Sequence, residues 1–361
     1  MITEDVIKKL LEKISLPIFL GSTSIVDAVD SIDVNKDHID IYLKLGFKAH
    51  SQERLIAVAI ENGLDNVGIS AVKVHVESEV MASAYLKREG QLSGVKNIVM
   101  VASGKGGVGK STTAINLALA LQAEGASVGI LDADIYGPSM RTMLGIEAGL
   151  KPELVDGKFV QAIKRHGLKS MSIAYMSEEK TPMIWRGPMA VRALQQLLEN
   201  TVWGELDYLI LDMPPGTGDI HISMAQKVSV SAALVVTTPQ DMAISDAKKG
   251  IEMFVKVGVP ILGLVENMAK HMCSNCGFEE SIFGSGGAQS LAEQYQLRVL
   301  GSMALCKKVR EDTDAGVPTV VRDPGGKSTA DYMTLANNVG YALWEQNKNA
   351  GPALQIEIVN S

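Results

Sequence analysis

A chain of 361 residues, 46% hydrophobic and 21% charged, is long enough for two domains and has the composition of an ordinary globular protein. Its formal net charge of −7 argues against a broad phosphate-backbone footprint, so nucleic acid is not an expected partner. Three cysteines do not make a secreted disulfide framework, and "MITEDVIKKLLEKISL" has acids and lysines where a signal peptide would be apolar. No apolar run reaches the length of a membrane span, so the reading is a cytoplasmic protein with no membrane partner.

In chain order, residues 1–76 read as a small α/β domain. "TEDVIKKLLEKI" has helical periodicity, and "AVDSIDV" and "HIDIYLKL" alternate as strands around the polar turn "NKD". "SQERLIAVAIENG" predicts a helix closed by Gly63, and "ISAVKVHVE" a further strand. Residues 77–96 are polar, include Gly90 and Gly94, and read as a linker with room for a helical piece. From 97 to 346 the pattern becomes βα units. Apolar, β-branched runs ("NIVMVAS", "SVGILDAD", "DYLILDM", "AALVVTTP", "VPILGLV") alternate with helices such as "STTAINLALALQAEG" and "AISDAKKGIEMFVKVG". Continuous apolar strands between helices predict an α/β fold: a mostly parallel sheet covered by helices on both faces. Residues 347–361 form a C-terminal tail.

In such sheets ligands sit at the carboxyl ends of strands, and the polar motifs follow the apolar runs. "VMVASGKGGVGKSTTAINLALAL" is a strand, a Gly-rich loop and a helix, in which Gly104, Gly109, Lys110 and Ser111 match the P-loop spacing G-x4-G-K-[ST]. A chance Gly-rich turn would lack the flanking strand and helix. The expected ATP-binding loop is therefore Gly104, Lys105, Gly106, Gly107, Val108, Gly109, Lys110, Ser111 and Thr112. Lys110 would meet the β- and γ-phosphates and Ser111 would ligate Mg²⁺. Asp132 and Asp134 end one of these strands and Asp212 ends another, and a carboxylate at a strand end beside a P-loop can hold the Mg²⁺ hydration shell. Aspartates also cap turns, and for Asp219 that reading weighs as much as a functional one.

"KHMCSNCGFEES" pairs Cys273 with Cys276, a spacing open to redox, zinc or iron–sulfur chemistry. A thioredoxin-like context is missing, and there is no second cysteine pair for structural zinc. His271 and Cys306 leave a mixed Cys₂HisCys set open. A two-fold axis offers another solution, since two copies of the pair make Cys₄, the ligand set of a [4Fe–4S] cluster.

Lys105 is not needed by a generic P-loop, and "SGKGGVGKST" resembles the deviant Walker A group of ATPases. Followed in order by "DADIYGPS", "DMPPGTGD", "ENMAKHMCSNCGFEESIFGSGG" and "VREDTDAGVPTV", it makes residues 95–345 resemble the Mrp/ApbC iron–sulfur cluster carrier family. Residues 1–76 more weakly resemble the MIP18-like domain often fused in front. The resemblance implies a homodimeric cytosolic P-loop ATPase, slowly converting ATP to ADP and phosphate. It implies a labile [4Fe–4S] cluster shared by two protomers at Cys273 and Cys276. The cluster would pass to apo iron–sulfur proteins, with assembly scaffolds as further partners. It gives Lys105, Lys110 and Asp134 catalytic roles: Lys105 crosses the dimer interface to the partner's nucleotide, and Asp134 orients the attacking water. Asp132 supports Mg²⁺ or its waters, Asp212 is the Walker B-type acid, Gly216 and Asp219 lie in the second switch, and Asn267 contacts adenine. There are departures. "LPIFLGSTSIV" lacks an Asp-Pro-Glu turn and "FKAHSQERL" lacks a cysteine, which favours docking over thiol chemistry in the first domain. Met303-Ala304-Leu305 stands where relatives usually have Ile-Pro-Leu. Two other functions compete: a MinD/ParA-like positioning ATPase and a nucleotide-binding, zinc-linked scaffold. The first needs a basic amphipathic anchor, and "GPALQIEIVNS" is not basic.

Overall fold

The alternating apolar runs become strands in the computed structural model, which describes residues 3–21, 23–176, 187–273 and 276–350. Most of the 347–361 tail and the side chain of Asp219 lie outside the described residues. Two compact units are present, Met1–Tyr85 with Gly340–Ser361, and Leu86–Val339. These limits differ from the sequence boundaries at 76, 96 and 346, because the last helix, α11 (Lys327–Asn349), contributes to both units. From its final turns Tyr341 and Trp344 are buried in the core of the first unit.

The first unit contains α1 (Glu4–Leu11), β1 (Val29–Val34), β2 (Ile39–Leu45), α2 (His50–Asp65) and β3 (Val72–Ser78). Acids begin α1 and lysines end it, which complements the helix dipole. The sheet order is β1-β2-β3, antiparallel then parallel. Along β2 the alternate residues Ile39, Ile41, Leu43 and Leu45 point into the core. The helix α2 is not closed by Gly63 but runs to Asp65. Gly68, at φ +81°, ends it: its N–H bonds Asp65 O at 2.9 Å, and Ile69 N–H bonds Leu64 O at 3.0 Å. Gly63 has a packing reason instead, since a Cβ there would lie 2.8 Å from Ile14 Cδ1.

The second unit begins with β4 (Val95–Ser103), α3 (Lys110–Ala123), β5 (Val128–Asp132), α4 (Met140–Met143), β6 (Leu154–Val155), β7 (Phe159–Gln161), β8 (Ile163–Arg165) and β9 (Leu168–Ser172). Then come α5 (Gly187–Asn200), β10 (Thr201–Val202), β11 (Leu206–Pro215), α6 (Asp219–Lys227), β12 (Ala232–Thr237), α7 (Asp241–Lys256) and β13 (Ile261–Glu266). The unit continues with β14 (His271–Met272), β15 (Glu279–Glu280), α8 (Gly287–Tyr295), β16 (Val299–Ser302), α9 (Lys307–Asp314) and α10 (Thr319–Arg322).

Its main sheet has the order β16-β13-β12-β4-β11-β5-β9-β8, parallel except for the edge strand β8. Every residue of β12 is buried, as expected of a strand covered on both faces. From β4 the chain crosses one way to β5, and from β11 it returns the other way to β12, β13 and β16. Right-handed crossovers therefore place α3 on one face and α6, α7 and α8 on the other. The direction reverses at β4, so the crevice opens at its carboxyl end, where the Gly-rich loop begins.

Candidate functional site

Gly104–Lys110 wraps from β4 into α3, with Gly107 at φ +82° and Gly109 at φ +79°, conformations that side chains disfavour. Gly104 is required for space. A Cβ there would sit 2.2 Å from the backbone C and O of Asp246 on α7, atoms that cannot swing away. Gly104→Ala is expected to push the loop off α7 at a cost of about 1–3 kcal/mol. Thermal melts and titration with a fluorescent ATP analogue check this, and wild-type stability together with wild-type affinity would contradict it.

Beneath the loop, Lys110 and Asp212 form a buried ion pair, with side chains 6% and 0% exposed. Lys110 Nζ donates to Asp212 Oδ1, and to Ser111 Oγ at 3.2 Å. Asp212 Oδ2 is buried without a hydrogen-bond partner. Asp132 is also buried, but its oxygens are engaged. Oδ1 accepts from Asp134 N–H at 3.1 Å, and Oδ2 from Met140 N–H at 3.2 Å and the Ser172 hydroxyl at 3.1 Å. It thus ties the end of β5 to α4 and β9. Burial, with the charge of Asp212 nearby, pushes Asp132 up to about 7. Burial also raises Asp212, against the pull of Lys110. Asp134 is half-buried, and its Oδ1 accepts from Gly137 N–H at 3.2 Å.

Two adjoining cavities meet at the loop. One, of about 310 Å³, is lined by Lys105, Gly106–Ser111, Asp134 and Pro215. The other, of about 610 Å³, is lined by Thr142, Met268, Leu305, Cys306 and Tyr332 among others. They share Gly109, Thr112, Ser139 and Met143. A highly charged tail and a larger, partly apolar body would fit this sequence of spaces. Asn267 is on the wall of the larger one, but its Nδ2 donates to Val108 O at 2.8 Å. The amide that would meet a base edge is therefore held by the loop.

One buried titratable group escaped the sequence reading. His221 on α6 is 1% exposed and lies edge-on to Phe254. Its Nε2 is buried without a hydrogen-bond partner, and the Pro214 backbone nearby favours the charged ring. Its only sequence signal is a histidine two residues after Asp219 in "GDIHIS". Burial drives its pKa down to about 4. Between pH 6.5 and 4 the unfolded chain takes a proton that the native state refuses, so stability falls as pH falls through this window. A shift of this size is roughly 3 kcal/mol. His221→Phe should flatten that slope in denaturant titrations across the window, and an unchanged slope would rule the assignment out.

The cysteines sit in a hairpin after β13, where β14 pairs antiparallel with β15. Gly277, at φ +72°, lets the chain turn so that its N–H reaches Cys273 O at 2.9 Å, while Cys273 N–H bonds Phe278 O at 2.9 Å. Cys273 is half-buried, Cys276 is exposed, and Phe278 beside them is 65% exposed. No group of three or more His, Cys, Asp or Glu side chains is placed to hold a metal among the described residues. The mixed Cys₂HisCys set is therefore not assembled there. His271 forms a β-bridge to Leu305, and Cys306 begins α9 on the wall of the larger cavity.

Residues 94–340 match the family described as NUBPL iron-transfer P-loop NTPase, of the ParA group. The chain is 51% identical over 313 residues to the iron-sulfur cluster carrier protein of Escherichia coli, covering 86% of this chain and 85% of that one. A solved nucleotide-binding protein from Archaeoglobus fulgidus, in complex with ADP, is 34% identical with a TM-score of 0.57, covering 67% of this chain and 92% of that one. The cell division ATPase MinD of Pyrococcus furiosus, 23% identical with a TM-score of 0.52 over 67% of this chain and 98% of its own, shares the fold.

Proposed function

The chain belongs to the NUBPL iron-transfer P-loop NTPases, and on that premise we propose that it is an ATP-hydrolysing carrier of a [4Fe–4S] cluster. The cluster is its cargo, held between two protomers by Cys273 and Cys276 of each and passed to apo iron–sulfur proteins. The observation that carries this reading is the cysteine hairpin. It presents Cys273 half-buried and Cys276 exposed, with no group of three or more His, Cys, Asp or Glu side chains placed to hold a metal among the described residues, on the segment that follows β13 and Asn267. Two such halves give the four thiolates such a cluster takes.

On the nucleotide side, the smaller cavity takes the phosphates and the larger one the nucleoside, with Asn267 facing the base. Mg²⁺ fits the unpartnered Asp212 Oδ2 and the Ser111 hydroxyl, hard oxygen donors at the loop. Asp134 orients the attacking water, Asp132 holds the first switch around it, and Lys105 reaches the partner's nucleotide. Lys110 neutralises phosphate charge. The first unit, without cysteine, serves as a docking module. A cytoplasmic location and cluster-assembly scaffolds as partners belong to the same proposal. No helix of the described residues is long and apolar enough to cross a membrane.

Anaerobic reconstitution with iron and sulfide tests the carrier. The wild type should show thiolate-to-iron charge-transfer absorption and about two irons per chain. Cys273→Ser/Cys276→Ser should lose both while still binding ATP. An intact cluster in the double variant would sink the proposal.

A further inference from the structure

A single segment, Glu266–Cys273, touches the Gly-rich loop at one end and carries a cluster thiol at the other. Asn267 N–H bonds Thr237 O at 2.8 Å, which fixes its backbone to β12, and its Nδ2 donates to Val108 O at 2.8 Å. Met268 then turns the chain at φ +56°. Ala269 N–H bonds Met303 O at 2.9 Å, Leu305 N–H bonds Lys270 O at 2.7 Å, and His271 bridges Leu305 in parallel. Two residues later the chain reaches Cys273. Across this ladder, Ala304, Leu305 and Cys306 line the cavity of about 610 Å³ beside the loop. The cavity and the thiol are thus joined twice, by the Asn267 amide and by a short backbone ladder.

We infer that Asn267 is a positioning residue that couples nucleotide occupancy to the state of Cys273. The inference rests on the carrier reading and names the regulation of that site. The two-state element is the hydrogen bond from Asn267 to Val108. A base in the larger cavity competes for the same amide, and phosphates in the loop move the carbonyl that accepts from it. Such a ligand binds the two arrangements unequally, which is what coupling requires. The strap from Met268 to Met272, pinned at Met303 and Leu305, carries the change to the hairpin.

The test uses the full chain, cluster-free and anaerobic. Alkylation of Cys273 and Cys276 by iodoacetamide is followed by mass spectrometry, with and without Mg-ATP or a non-hydrolysable analogue. Saturating nucleotide should change the Cys273 rate by about fivefold or more in the wild type. In Asn267→Ala the change should fall below about twofold at nucleotide levels that saturate that variant. An equal response in both proteins overturns the inference. A second measurement needs no variant: hydrogen exchange at the Ala269 and Leu305 amides of the wild type should shift on ATP binding, and unchanged protection at both overturns it. No cluster is present in either assay. Failed reconstitution would sink the carrier reading alone, and a missing nucleotide response would sink the coupling alone.

Discussion

Lys110→Met is expected to abolish most ATP turnover and also to destabilise the protein before any nucleotide is bound. The two effects have different causes. Turnover falls because the cation proposed to meet the phosphates is gone, a loss on the order of 10²–10³-fold or more. Stability falls because Asp212, fully buried, loses the partner that offsets its desolvation. Removing one member of a buried pair costs about 3–5 kcal/mol. The pH dependence follows from the same residue. Without Lys110, burial holds the Asp212 pKa still further above the usual carboxylate range, so the native state binds a proton that the unfolded chain has released. Across that window stability falls as pH rises, and the deficit of the variant should be larger at pH 8 than at pH 5.5. Denaturant titrations at both values measure it. Lys110→Met/Asp212→Asn should recover much of the stability and none of the turnover, because the buried charge has gone but the carboxylate proposed to face Mg²⁺ has gone with it. A double variant no more stable than the single one would show that the loss does not come from an uncompensated Asp212 charge.

The parts of this site that were legible in the sequence are those in which one short segment decides the outcome. The Gly-rich loop, the strands "NIVMVAS" and "AALVVTTP", and the acids Asp132 at the end of β5 and Asp212 near the end of β11 are local patterns readable without any distant partner. What was not legible depends on partners distant in the chain. β9, "LKSMS", and β16, "VLGS", are too short and mixed to stand out, and they become strands by pairing with β5 and β13. Gly63 looked like a helix end because glycine is common there, yet its role is the closeness of Ile14. Asn267 was readable as a polar residue at a strand end, but its bond to Val108 spans 159 positions. The lone imidazole of His221 is notable only once burial has removed its water. Cys273 and Cys276 are the extreme case: the hairpin explains their presentation, and their proposed completion lies on another copy of the chain.

That completion can be tested from the nucleotide side, with Lys105 as the probe. Lys105 is half-buried on the wall of the smaller cavity, immediately after the glycine locked against α7. If it acts on the partner's nucleotide as an arginine finger does, Lys105→Ala should lower ATP turnover by about 10³–10⁵-fold. That is roughly 4–7 kcal/mol of barrier. Nucleotide affinity should change far less, since the charge it meets develops during the reaction. The decisive experiment is complementation. On the proposed roles, Asp134→Asn should also be nearly inactive, because its own site would lack the group that orients water. Mixed with Lys105→Ala, half of the randomly assorted dimers are heterodimers. Each has one site containing the native Asp134 of its own protomer and the native Lys105 of the other. Mixing two dead proteins should therefore restore about a quarter of wild-type turnover. If Lys105 acts within its own protomer, every site in the mixture carries one defect and nothing is restored. Recovery would also give the two-fold arrangement that the cysteine hairpins need, from a measurement in which no iron takes part.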